Sequence, residues 1–307
     1  MRLKVGTPSI ISIGSKKGIR GLAGKHVLLL QGPLGPFFRR LSRDLTQIGA
    51  RVSKINFNGG DWLFYPTGAV QYRGSMEEWP AFLAGILTEQ KIDIVLMYGD
   101  CRPIHTCVRE QTEQAGVELG VFEAGYVRPN YITLERSGMN DYSSLPRTPD
   151  FYSRLSDKKS NMPLDVGSVF WHAALWAIMY YVASSLLRPV FPHYCHHRRL
   201  AMREALPWLR GLWRKYYFHF KERKVRQELQ AAYSGRFFLV PLQVHYDSQM
   251  RIHSDYASVD AFIQHVVADF AKNAPSEMCL VIKHHPMDRA YRDYTHVCRE
   301  RGFRKQI

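Results

Sequence analysis

From residue 26 onward the apolar positions fall into short solid runs, separated by stretches with helical spacing. HVLLLQ (26–31) predicts a buried strand, and GPLGP then leads to helical periodicity from Phe37 to Ile48. RVSKINF (51–57) is the next strand, ended by NGGD. The spacing predicts a helix from Glu77 to Gln90 and a strand, IDIVLMY, at 92–98. A helix from Ile104 to Ala115 stops at Gly116, and VELGVFE (117–123) closes the series. Strands and helices alternating at these lengths predict an α/β fold with a parallel sheet covered on both faces. Ligand groups in such sheets collect in loops at the carboxyl ends of strands. Those loops are 31–36, 57–62, 98–103 and 123–130.

The pattern changes after Arg136. Residues up to Asp165 are polar and read as a surface excursion. Val166 to Leu187 carry no formal charge, and Trp171, Leu175, Ile178, Val182 and Leu186 share one helical face. A packed core helix, a helix in a membrane interface and a membrane span all fit that stretch. RFFLVPL (236–242) then restarts a strand pattern. A polar loop follows, and then a helix with Ser258 as N-cap and Val259, Phe262, Ile263, Val266, Val267 and Phe270 on its apolar face. MCLVI (278–282) is a second strand, capped by KHHP. Four regions result: an arm at 1–25, a first lobe at 26–135, a linking region at 136–235 and a second lobe at 236–307.

Composition narrows the partners. Apolar residues make up 46% of the 307 and aromatics 13%, enough for a large core. The net charge of +15 attracts anions: nucleic acid, a phosphorylated substrate or an anionic lipid surface. Five cysteines without a CxxC argue against a disulfide framework and suit a reducing compartment. The basic N-terminal arm has an apolar piece too short for a signal peptide. Residues 188–226 hold 11 Lys or Arg against two acids, Glu204 and Glu222, with Trp208, Trp213, Tyr216, Tyr217 and Phe218 interleaved. Such a stretch suits an anionic lipid surface, while a solvated basic helical hairpin or a nucleic-acid face would use the same residues. HYCHH (193–197) fits no standard zinc spacing. There is no DxD pair, no P-loop and no GxSxG elbow, which weakens ATPase and α/β-hydrolase readings.

Candidate chemistry sits at strand ends. Lys283, His284 and His285 offer positive charge and imidazole donors, and Pro286 stiffens the turn. Such donors stabilise charge developing on a phosphate leaving group; a strand end that is merely basic is equally compatible. Gln243 and Asp247 share a loop with His245; Asp247 is either a reacting carboxylate or the acid of an Asx turn. Glu123 directly follows a strand run and Arg128 lies just beyond, either as acid/base groups or in a turn-and-return segment with paired charges. Asn58 and Asp61 stand in a glycine-rich bend that could approach an acceptor or be an ordinary turn.

In this order LLQGPLGPFFRRL, INFNGGDWLFYP, FEAGYVRPNYITLE, FFLVPLQVHYDSQ and IKHHP resemble the capsule polysaccharide biosynthesis proteins of the KpsS type, over about residues 25 to 290. KpsC-type proteins share several of these elements. The resemblance implies two Rossmann-like lobes in a GT-B-like arrangement and a bacterial glycosyltransferase. It would move Kdo from CMP-Kdo to a phospholipid, starting a poly-Kdo linker, without a cofactor or metal. His285 and Pro286, with Gln243 and Lys283, would then hold the CMP-sugar donor, and Asp247 would be the nucleophile of a retaining transfer. Glu123 would serve the acceptor as acid/base, with Asn58, Asp61 and Arg128 on the acceptor side. The implied location is cytoplasmic, peripheral on the inner membrane, beside other capsule assembly proteins, with no nucleic acid expected. The resemblance also implies that the second lobe is incomplete, because family members usually continue past the His-Pro motif. A non-catalytic membrane-surface component of capsule export and a basic nucleic-acid-binding protein are the alternatives.

Overall fold

Val27 to Leu30 have no exposed surface, so this run forms an inner strand, β1 (His26–Leu29), of a six-stranded sheet in the computed structural model. The structure describes residues 19–125, 131–154, 170–196 and 205–300, which divide into two units, 1–200 and 201–307. The division cuts the region 136–235, read above as one linker.

In the first unit, β2 (Arg51–Asn56), β3 (Val70–Gln71), β4 (Ile94–Tyr98), β5 (Glu118–Ala124) and β6 (Ile132–Arg136) join β1 in the order β3-β2-β1-β4-β5-β6. The helices are α1 (Phe37–Gln47), α2 (Gly59–Phe64), α3 (Trp79–Glu89), α4 (Val108–Ala115), α5 (Pro149–Ser153) and α6 (Phe170–Leu186). Neighbouring residues of β1 serve opposite faces, as strand pleating requires. Val27 and Leu29 pack with Phe38, Leu41 and Leu45 of α1, while Leu28 and Leu30 pack with Trp79 and Leu83 of α3. Strands β1 to β5 pair in parallel. Strand order reverses between β1 and β4, where a crevice opens at the carboxyl ends.

The sheet is parallel as expected through β5, and an edge strand the sequence reading did not include, β6, runs antiparallel to it, with Val121 opposite Glu135. Only seven residues separate Ala124 from Ile132, too few for a parallel crossover. A Cβ on Gly125 would stand 2.5 Å from the Tyr131 carbonyl oxygen, so glycine admits the close return.

In α6 the packed-core alternative needs correction. Tyr180 and Ser184 are the buried residues, whereas Trp171, Leu175, Ile178, Val182 and Leu186 are exposed. The helix docks by its polar edge on α2. A Cβ on Gly59 would lie 2.4 Å from the Ala183 carbonyl oxygen, and one on Gly60 would strike the Tyr180 ring at 2.5 Å. Among the described residues no helix is long and apolar enough to cross a membrane.

The second unit contains α7 (Ala205–Ala232), β7 (Phe237–Pro241), α8 (Ser248–Arg251), α9 (Val259–Asn273), β8 (Cys279–Lys283) and α10 (Thr295–Glu300). β7 and β8 pair in parallel, and α9 makes the crossover. Ser258 caps α9 as expected, its hydroxyl accepting from the Ala261 N–H at 3.1 Å. Val259, Ile263 and Val267 then pack with Leu242, Met250, Tyr294 and Val297. Most of the basic, aromatic-rich stretch from 205 onward forms one helix, α7, about 42 Å long at 1.5 Å per residue.

Candidate functional site

Two parallel strands that end side by side must present their following loops side by side. In the second unit these are 242–247 after β7 and 284–287 after β8. One residue fastens them together. Asp288 is wholly buried, yet its carboxylate accepts from the His245 backbone N–H at 3.1 Å and from the Tyr294 hydroxyl at 2.8 Å. Its other oxygen bonds His245 Nδ1. A buried carboxylate is tolerated when its lone pairs are filled in this way.

On that frame Asp247 is the N-cap of α8, and its Oδ1 accepts from the Gln249 N–H at 3.0 Å. The Met287 N–H donates to His285 Nδ1 at 3.2 Å. That bond makes Nδ1 an acceptor, so the neutral ring carries its proton on Nε2. Burial lowers the His285 pKa from its ordinary value, while Asp288 and Asp247 pull it back up. Asp247 and His285 therefore act on each other electrostatically. A neutral imidazole with its N–H directed away from Met287 is a hydrogen-bond donor to a phosphate oxygen that requires no protonation. Lys283, Gln243 and Pro286 are exposed around it.

In the first unit the loops after β1, β2 and β4 meet at the switch point. Gln31 follows β1 and has no exposed surface. Its amide donates to Asp61 Oδ2 and to the Cys195 carbonyl, both at 3.2 Å, and its Oε1 accepts from Arg102 at 3.3 Å. Arg102 also donates to the Gly32 carbonyl at 2.8 Å, and burial lowers its pKa. Asp61 further accepts from the Phe57 N–H at 3.1 Å and the Tyr180 hydroxyl at 2.9 Å. Glu123 is half-buried near the end of β5, its Oε1 accepting from the Ala124 N–H at 3.0 Å. Gly99 lies beside it: a Cβ there would sit 3.5 Å from Glu123 Oε2 and 3.7 Å from Arg102 Nε.

A profile described as "Capsule polysaccharide biosynthesis protein" matches residues 93–306. The chain is 38% identical over 280 residues to the capsule polysaccharide modification protein LipB of Neisseria meningitidis serogroups A and B, covering 89% of this chain and 67% of LipB. It is 39% identical over 279 residues to the capsule polysaccharide export protein KpsS of Escherichia coli, covering 89% of this chain and 71% of KpsS.

The chain belongs to the capsule polysaccharide biosynthesis family.

Within this KpsS-type capsule protein the expected site residues separate by role. Asp247 and His285 come together in the second unit, and Glu123 stands in the first. Asn58 needs correction as a ligand group. It is wholly buried, and its Oδ1 caps α2 by accepting from the Gly60 and Asp61 N–H groups at 2.9 and 3.0 Å. Its amide donates to the Cys195 carbonyl at 3.2 Å, so no polar atom is left for a ligand. Asp61 is likewise held by three donors. Arg128 lies outside the described residues. Sequence reasoning missed Asp288, His245, Gln31, Arg102 and Lys54. Lys54 alone had a legible signal: a lysine inside an inner strand of a sheet covered on both faces must be buried.

Proposed function

We propose that this capsule polysaccharide protein is a glycosyltransferase moving Kdo from CMP-Kdo to a phospholipid hydroxyl, the first step of a poly-Kdo linker. The supporting observation is the Asp288 lock, which keeps Asp247 and His285 in mutual electrostatic reach at adjacent strand ends. In this reading the Asp247 carboxylate attacks the anomeric carbon of Kdo. The bond to the CMP phosphate breaks, and its electron pair leaves with CMP, whose oxygens are held by His285 Nε2–H and Lys283. The acceptor hydroxyl then displaces Asp247 and gives up its proton to water. Two displacements retain the anomeric configuration. Gln243 and Pro286 shape the donor loop edge.

The test is CMP release from CMP-Kdo in the presence of a phosphatidylglycerol acceptor. Asp247→Ala and His285→Ala should each abolish it, and an intact full-length protein that releases no CMP overturns the proposal. A second reading, a non-catalytic membrane-surface component of capsule export, is favoured by the exposed apolar stripe of α6 and the aromatic face of α7. It predicts vesicle binding with no turnover.

A further inference from the structure

Lys54 presents a physical problem. It sits on the inner strand β2, 3% exposed, and its ammonium donates to the adjacent Ile55 carbonyl. An ammonium has three donors and is costly to bury without a counterion. Among the described residues no carboxylate lies within 4.0 Å of Lys54 or of Arg39. Asp61 is near enough to act on Lys54 through space, but its oxygens are occupied by Phe57, Gln31 and Tyr180. Burial consequently lowers the Lys54 pKa to about 8.

Lys54 and Arg39 line one pocket with Gly32, Phe38, Phe64 and the donor-saturated Asp61 carboxylate. The Arg39 guanidinium lies 4.9 Å from the Tyr65 ring centre and donates to Thr67 Oγ1 at 3.3 Å, in exposed surroundings. The pocket is thus lined by one buried cation and one more exposed, forked cation. The cavity is about 20 Å³, room for a single water-sized group. A ligand must enter by one atom and keep its bulk outside. Burial strengthens any charge interaction made at Lys54.

We propose that Lys54 and Arg39 form a binding site for a phosphate ester, one oxygen reaching the buried Lys54 while others meet the more exposed Arg39. A tetrahedral group with oxygens at different depths suits two cations so arranged better than a planar carboxylate does. The site deepens the transfer reading and rests on it only for the source of the phosphate, a phospholipid headgroup on the acceptor side.

The experiment follows thermal unfolding of the whole chain as inorganic phosphate replaces chloride at constant ionic strength. Phosphate should raise the wild-type midpoint in a saturable way. Lys54→Met, of similar length and uncharged, should bind about tenfold or more weakly, and Arg39→Gln should also weaken binding. Wild-type affinity should fall as pH rises through about 8, because the anion requires the protonated lysine. The charged and titratable groups facing Lys54 are Asp61, Arg39, Tyr65 and Tyr180. Lys54→Arg should keep binding across that range. Glycerophosphoglycerol, a soluble phosphodiester, separates the sources: binding of both supports a headgroup, and binding of inorganic phosphate alone supports free phosphate. Asp247→Ala should lose CMP release yet keep the phosphate response, so the two proposals fail separately. No phosphate-specific stabilisation of wild type, or an equal one in Lys54→Met, overturns the site.

Discussion

Asp288 stands three residues after His285, and nothing in KHHPMD marks it as more important than its neighbours. Its weight comes from three donors converging on a carboxylate with no exposed surface. Asp288→Asn would turn an amide N–H against one of them. Hydrogen bonds to a buried charge contribute roughly 1.5–3 kcal/mol each, so a loss of about 3 kcal/mol is expected for the second unit, measured by urea unfolding. Tyr294→Phe removes one bond only and should cost less. Equal stability of Asp288→Asn and wild type would show that the loops are held by packing alone. Asp247 and Asn58 carry a related lesson. Both were candidates for chemistry, and both cap helices; Asn58 is consumed by that role, whereas Asp247 has one oxygen bonded to Gln249 and remains half-exposed.

At the scale of elements, strand runs and helix lengths were legible because burial on both sheet faces demands solid apolar strands. The predicted 37–48, 51–57 and 92–98 correspond to α1, β2 and β4 within a residue or two. β3 was not legible, having only two residues. Nor was the orientation of α6. Its apolar stripe fits a core face and a membrane-interface face alike; what packs is the polar edge, where Tyr180 bonds Asp61 and the Ser184 hydroxyl accepts from the Gly60 N–H at 2.9 Å. Those bonds add to the partners that Asn58, Gln31 and Phe57 already give the buried polar groups of α2. Gly59→Ala should therefore separate α6 from α2. The added methyl meets backbone, which cannot move aside like a flexible side chain, and about 1–3 kcal/mol is at stake. Faster limited proteolysis after residue 170 is the readout; unchanged cleavage would mean that the two helices are not held by this contact.

For the whole molecule, the charge of +15 is unevenly used. On α7, Leu209, Leu212, Trp213, Tyr216 and Phe220 form one exposed face at helical spacing, while Arg214 and Phe218 on the opposite side engage Arg289. Arg210, Lys215, Lys221 and Arg226 flank the aromatic face. A helix lying on an anionic bilayer has this division, each near-surface cation contributing about 1 kcal/mol. Flotation with phosphatidylglycerol vesicles should weaken as salt rises and fall further in a Trp213→Ser, Tyr216→Ser, Phe220→Ser triple variant. Retention of full flotation by that variant would remove α7 from membrane docking.

The amino-acid order alone determined the α/β class, the strand-end loops and the family motifs, because each depends on residues within a few positions of one another. Tertiary structure decided which carboxylates are free, which face of α6 is packed and why a lysine lies buried beside Asp61. Those outcomes depend on partners such as Asp61 and Tyr180, 119 residues apart, or His245 and Asp288, 43 apart. No local pattern encodes such pairings; they follow from the requirement that every buried polar group find a partner once the chain is folded.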